Sequence, residues 1–185
     1  MASSGARRGA AALLLALGGC GGAEPAMVAS TSAAPTLDRL TVTPTDTEGI
    51  IDWLRQQHGK PVLSNYWATW CAPCLAELPD LLAGTREFRR SGGVVVGIAM
   101  ERMVEDLDVA TALAKARAKA EELHLDFPVL VCTDDDMNRI RKVLGVELGG
   151  FPQTLTYDRT GKLVAQHEGI ADAGEFAALA SDAER

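Results

Sequence analysis

The chain has 185 residues, 47% of them hydrophobic and 23% charged, with a formal net charge of −7. That length buries one core of ordinary size and calls for no second domain. The negative charge argues against a nucleic-acid binder, which must neutralise phosphates, and no apolar run reaches the roughly 18–20 residues of a membrane-spanning helix.

Residues 1–19 read as a segment outside the fold. Arg7 and Arg8 form a short basic region, residues 9–17 are apolar and uncharged, and Leu17-Gly18-Gly19-Cys20 follows. This is the layout of a secretory signal. It also resembles the lipobox of bacterial lipoproteins, in which small residues precede a cysteine that becomes lipidated and is the new N-terminus. The resemblance implies lipidation at Cys20 and attachment to a membrane; an ordinary signal peptide with a chance cysteine is the alternative. Residues 20–40, rich in Ala, Ser, Thr, Pro and Gly, read as the lipid anchor and a flexible tether. The folded domain is expected over 41–185.

The first helix is expected after Thr45-Asp46-Thr47-Glu48, which offers a capping box, with Ile50, Ile51, Trp53 and Leu54 as its apolar side and Gly59 as its stop. Residues 61–67 read as a strand. A helix from Cys71 towards Arg90 would bury Leu75, Leu78, Leu81 and Leu82, with Pro79 kinking it. Residues 93–100 form an apolar run of the kind seen in a strand covered on both faces. Residues 107–125 read as an Ala-rich helix whose stripe is Val109, Leu113, Ala116, Ala120 and Leu123, and 127–132 as a further strand. Asp134-Asp135-Asp136 opens a short helix that closes on Arg139, Arg141 and Lys142. A calcium loop there would need Gly at its sixth place and Glu at its twelfth, where Arg139 and Gly145 stand. Residues 149–152 are a break. Residues 153–157 and 162–168 form a hairpin turned by Asp158-Arg159-Thr160-Gly161, and 172–182 form the last helix. The order predicts an α/β fold with a cysteine pair at the C-terminal end of its first long strand, where chemistry sits in open α/β sheets.

That pair is Cys71 and Cys74, within Trp70-Cys71-Ala72-Pro73-Cys74. Two cysteines separated by two residues at the start of a helix can bridge. The helix N-terminus stabilises an anion on the first, and the second, one turn in, can resolve a mixed disulfide. A structural disulfide and half of a zinc site are the alternatives. A zinc site needs a second Cys or His pair, whereas His58, His124 and His167 are scattered. Carriage of a metal or haem by the two thiolates plus His167 also stays open. Cys132 ends an apolar run and reads as a buried inert thiol, with an intermolecular or resolving role as its alternative. Trp70 is the better candidate than Trp67 for a substrate surface.

Asn65-Tyr66-Trp67-Ala68-Thr69-Trp70-Cys71-Ala72-Pro73-Cys74-Leu75-Ala76-Glu77-Leu78-Pro79 resembles the TlpA/ResA branch of the thioredoxin-like proteins. So does the helix-and-strand insertion between about 107 and 132. The resemblance covers 41 to the C-terminus. It implies a thioredoxin fold: a mixed central sheet flanked by helices, with that insertion. It implies an extracytoplasmic thiol–disulfide oxidoreductase, a protein-disulfide reductase on the periplasmic side of a bacterial membrane, often serving cytochrome c maturation. Its partners would be a disulfide-bearing protein substrate and a membrane thiol transporter as electron donor, with no cofactor, no metal and no nucleic acid. By position, Cys71 is the nucleophile and Cys74 the resolving cysteine. Glu77 is the active-site carboxylate, and Pro152 is a cis-proline facing the pair, preceded by Phe151 at the substrate side. Asn65 stands where thioredoxin has a buried Asp, and Gln153 where the family commonly has Thr. Ala72-Pro73 place no charge between the sulfurs, which favours a reductant.

Overall fold

The computed structural model describes residues 39–104 and 106–185. The expected signal segment, Cys20 and nearly all of the tether lie outside the described residues. Six strands form one sheet in the order β1-β4-β3-β2-β5-β6. β1 (Val42–Thr45), β4 (Val129–Cys132), β3 (Val94–Ala99) and β2 (Val62–Trp67) run parallel. β5 (Gln153–Tyr157) is antiparallel to β2, and β6 (Leu163–Glu168) is antiparallel to β5. The sheet is therefore mixed, as the sequence led one to expect.

Every residue of β2 and β3 is buried, because both strands are central and helices cover both faces. Their side chains alternate between two cores. Leu63, Trp67, Val95 and Ala99 pack with α2 (Ala72–Gly84), α4 (Val109–Glu122) and α6 (Ala173–Glu184). Val62, Tyr66, Val94, Val96 and Ile98 pack with α1 (Thr47–Gln56) and α5 (Met137–Leu144). Full burial of each such side chain stabilises by ~1.5–3 kcal/mol, so these two strands anchor the sheet that carries the cysteine pair.

Several local expectations shift. β1 was not anticipated: Val42-Thr43-Pro44-Thr45 has no apolar run, and Pro44, lacking an N–H, is tolerated because β1 is an edge strand. Thr45 belongs to that strand, so it cannot cap α1. Asp46 does so instead, accepting from Gly49 N at 2.8 Å. There is no capping box, since Glu48 reaches across to Arg139 at 2.7 Å. The single helix expected from Cys71 to Arg90 is two, α2 and α3 (Arg86–Arg90). The break falls at Gly84–Thr85. The Thr85 hydroxyl donates to the Leu81 carbonyl at 2.6 Å, and a Cβ on Gly84 would sit 2.3 Å from the Ala173 carbonyl, so α6 packs too close for any side chain there.

The buried stripe of α4 is Ala112, Ala116 and Ala120, while Val109 is exposed and Leu113 and Leu123 are half-buried. The small alanines let α4 lie close to the sheet. α5 is capped by Asp136 and ends on Gly145, whose φ of 68° suits a residue without a Cβ. Its acidic lead-in has a structural use. Asp134 accepts from the Thr47 amide at 2.9 Å and the Thr47 hydroxyl at 2.5 Å, tying α5 to the start of α1. Burial works against charge on Asp134, but these bonds and Arg139 outweigh it and hold its carboxyl below the usual range. A 3-10 turn over Glu101–Met103, also unanticipated, follows β3.

Candidate functional site

The parallel strands β2 and β3 end side by side, and the loops beyond them form the site. After Trp67 the chain turns tightly, with Cys71 N donating to the Ala68 carbonyl at 3.1 Å. Cys71 is the N-cap of α2, and its sulfur accepts from Cys74 N at 3.3 Å. Cys71 and Cys74 form a disulfide with their Cα atoms 5.3 Å apart. Cys71 keeps 5% of its surface exposed and Cys74 none. Cys71 is thus the more accessible of the two, and its sulfur sits at the helix N-terminus, where the Cys74 amide donates to it.

One turn further along α2, Glu77 is buried. A buried carboxylate is costly without partners, and this one has two. Its Oε1 accepts from Asn65 Nδ2 at 2.8 Å, and its Oε2 accepts from the Ala171 amide at 3.0 Å. Asn65 Nδ2 also donates to Thr154 Oγ1 at 3.1 Å. Asn65 and Thr154 face each other in the β2–β5 register, so the network joins α2, strands β2 and β5, and the lead-in to α6. Burial pushes the Glu77 carboxyl above its ordinary value, against the opposing pull of the Ala171 amide, Asn65 and the charge of His167. A carboxyl raised in this way exchanges protons closer to neutral pH than a surface one.

The Phe151–Pro152 peptide bond is cis. Gln153 pairs with Tyr66, so Pro152 lies beside the last residue of β2, at the same end of the sheet as the disulfide. Phe151 meets Trp70 edge-to-face, ring centroids 5.9 Å apart. Both rings are half-buried, packed on the core that holds the cysteines. A Cβ on Gly149 would meet the Glu168 carboxylate, the far end of a flexible side chain, at 2.5 Å, while one on Gly150 would lie in ordinary contact with it at 3.6 Å. Gln153 shares the face of Tyr66, away from Glu77, and donates to the Glu147 carbonyl at 3.1 Å. Its departure from the family's Thr therefore acts on the loop that carries Phe151.

The other cysteine lies elsewhere. Cys132 is free and fully buried, paired in register with Thr45, on the α1/α5 side of the sheet. Burial pushes its thiol up to about 11. His167 is half-buried on β6 opposite Thr154, its Nε2 3.4 Å from the Ile170 carbonyl. Among the described residues, no three His, Cys, Asp or Glu side chains are grouped to hold a metal. Sequence reasoning missed Glu101, a fully buried carboxylate whose oxygens accept from the Thr69 amide at 2.8 Å and the Thr69 hydroxyl at 2.6 Å. In the sequence it is one acid in Glu-Arg-Met. The signal that could have found it is positional: it is the second residue past β3, level with the turn that follows β2.

A model of the AhpC/TSA family matches residues 33–166. The chain belongs to the AhpC/TSA family. Among relatives of this AhpC/TSA chain, the thiol-disulfide oxidoreductase ResA of Bacillus thuringiensis (strain Al Hakam) is 27% identical over 123 residues, 66% of this chain and 62% of ResA. The thioredoxin-like protein YneN of Bacillus subtilis is 30% identical over 116 residues, 63% of this chain and 61% of YneN. The chain thus spans about three-fifths of the length of these relatives. Among solved structures, a thiol:disulfide interchange protein of the thioredoxin family from Chlorobium tepidum TLS matches with a TM-score of 0.55 at 21% identity, covering 70% of this chain and 83% of that one. The pneumococcal exposed lipoprotein thioredoxin Etrx1 of Streptococcus pneumoniae matches with a TM-score of 0.52 at 26% identity, covering 70% and 89%. The fold of this AhpC/TSA chain is the thioredoxin fold expected from its sequence.

Proposed function

We propose that this protein is an extracytoplasmic protein-disulfide reductase working through Cys71 and Cys74. The observation that supports it most is a Cys-x-x-Cys disulfide at a helix N-terminus with the buried Glu77 carboxylate one turn below it. In the reduced form, the Cys71 thiolate attacks one sulfur of a substrate disulfide. A mixed disulfide forms, and the other substrate sulfur leaves as a thiolate that takes up a proton. The Cys74 thiol passes its proton to Glu77, and its thiolate attacks Cys71 Sγ. The second substrate thiolate departs, two electrons have moved to the substrate, and Cys71–Cys74 is again a disulfide. Pro152, at the same end of the sheet as the pair, keeps the approaching substrate strand in line. Trp70 and Phe151 form the surface on which the substrate rests.

The Arg7-Arg8, apolar and Leu17-Gly18-Gly19-Cys20 order supports a lipid anchor at the periplasmic side of a bacterial membrane, where a membrane thiol transporter would restore the dithiol. Cytochrome c maturation is the process that the TlpA/ResA resemblance of the sequence implies for this reading. Three measurements test it. The wild-type protein should catalyse reduction of insulin by dithiothreitol. Cys74→Ala should accumulate a mixed disulfide with its substrate, whose identity is then read by mass spectrometry. Cys20→Ser should free the protein from membrane fractions. Inactivity towards insulin together with an empty trap would sink the reductase reading. Stoichiometric metal binding by the reduced form would replace it with the carrier reading.

A further inference from the structure

Three loops converge on the disulfide: the turn of residues 68–71, the 3-10 turn after β3, and the Phe151–Pro152 loop. One side chain joins the first two. Glu101 is fully buried, and its carboxylate accepts from both the amide and the hydroxyl of Thr69, while its carbonyl accepts from Trp70 Nε1 at 3.2 Å. A buried carboxylate is costly unless it is hydrogen-bonded, so chance placement at this spot is unfavourable. Trp70 in turn holds Phe151 edge-to-face. The turn between Ala68 and Cys71 is closed by a main-chain bond from Cys71 N to the Ala68 carbonyl, and Thr69 and Trp70 are half-buried. Without the Glu101 carboxylate the Thr69 amide and hydroxyl would lose their acceptor, and the turn would have to move to find another.

We propose that Glu101 is a positioning residue for protein substrates: it fixes Trp70, and through Trp70 the Phe151 wall, at the rim of the Cys71–Cys74 disulfide. The proposal rests on the reductase reading above. It assigns Glu101 no proton transfer and no contact with substrate. What matters is the geometry of its acceptors. A Gln at 101 preserves that geometry, because its Oε1 can accept from the Thr69 amide while its Nε2 donates to the Thr69 hydroxyl. A Leu fills the volume but offers no acceptor.

The test compares Glu101→Gln, Glu101→Leu and Thr69→Val with the wild type on two substrates, insulin and the small aromatic disulfide 5,5′-dithiobis(2-nitrobenzoate). Because the Thr69 amide and hydroxyl lose their acceptor, Glu101→Leu is expected to raise KM for insulin about tenfold at nearly unchanged kcat. The small disulfide, too small to use the aromatic wall, should react within about twofold of wild type. Thr69→Val, which removes only the hydroxyl, should show a smaller rise of the same kind. Glu101→Gln should restore wild-type KM. Independently of turnover, the indole N–H signal of Trp70 in a proton–nitrogen NMR spectrum should shift and exchange faster with water in Glu101→Leu, and stay in place in Glu101→Gln. A Gln variant as impaired as the Leu variant would overturn the proposal, because charge would then be the active property. So would equal slowing of both substrates, or an unmoved Trp70 indole signal in Glu101→Leu or, should that variant not fold, in Thr69→Val. Failure of the wild type on both disulfides would strike the reductase reading, while the NMR comparison would still judge Glu101.

Discussion

Cys74 and Cys132 are both fully buried, each near the C-terminal end of a parallel strand, yet their surroundings differ in kind. Cys74 lies in the first turn of α2, beside a second sulfur and above the hydrogen-bonded carboxylate of Glu77. Cys132 lies at the end of β4 among Ile50, Leu130 and Ile140, with its thiol pushed up to about 11 by burial. Burial alone therefore makes a thiol inert. Burial together with a helix terminus, a partner sulfur and a nearby hydrogen-bonded carboxylate gives the surroundings of the thiol proposed to be used.

The largest effect expected from breaking this contrast is at the pair. Cys71→Ser should reduce insulin reduction to the uncatalysed rate while leaving the far-UV circular dichroism unchanged; measurable turnover would show that the second sulfur can act alone. Next comes the proton acceptor. Glu77→Gln should slow exchange by ~10²-fold, within the usual span for general base catalysis, and flatten the pH–rate profile measured by stopped flow over about pH 5–9. Matching profiles would make Glu77 a bystander.

Smaller is the effect of changing the inert site. Cys132→Ser puts a hydroxyl into an apolar pocket and should cost ~1–3 kcal/mol in denaturant unfolding, with the insulin rate unchanged. After reduction, iodoacetamide at pH 8 should modify Cys71 and spare Cys132, whose thiolate fraction is then only about 0.1%. Labelling of Cys132 in the folded protein would contradict its assignment as sealed. The smallest effect is on stability against pH. The folded Glu77 carboxyl sits above its ordinary value, so its folded state holds the proton more tightly than the unfolded one. Its contribution is therefore full below about pH 4.5 and is lost as pH rises through the folded value. Relative to wild type, Glu77→Gln should gain stability as pH rises through that window, a trend that thermal melts at a series of pH values would reveal.

The central fold was legible because its signals are strong and local. The run over β3 is apolar for six residues, β2 brackets Ser64 and Asn65 with Val62-Leu63 and Tyr66-Trp67, and the turn residues between β5 and β6 are unambiguous. What escaped depends on tertiary contact. β1 has no pattern of its own and exists because β4 offers an open edge. The split between α2 and α3 follows from the approach of α6 to Gly84. In the site, the cysteines and Glu77 could be named from their spacing and the family resemblance. The Asn65–Thr154 link could not, since its partners are 89 residues apart. Glu101 looks like any surface acid until β3 is laid beside β2.

One bond carries a consequence for how the protein is made. Glu77 receives its second hydrogen bond from Ala171, 94 residues later, at the threshold of the last helix. Synthesis runs from the N-terminus, so Cys71 and Cys74 emerge long before that amide exists. For most of the time the chain is being threaded out, its two thiols are ordinary ones that can pair with any oxidant or neighbour. The carboxylate beneath them is seated only when the final helix docks. The order of emergence thus keeps the nascent pair from working as a matched set until the whole domain has closed around it.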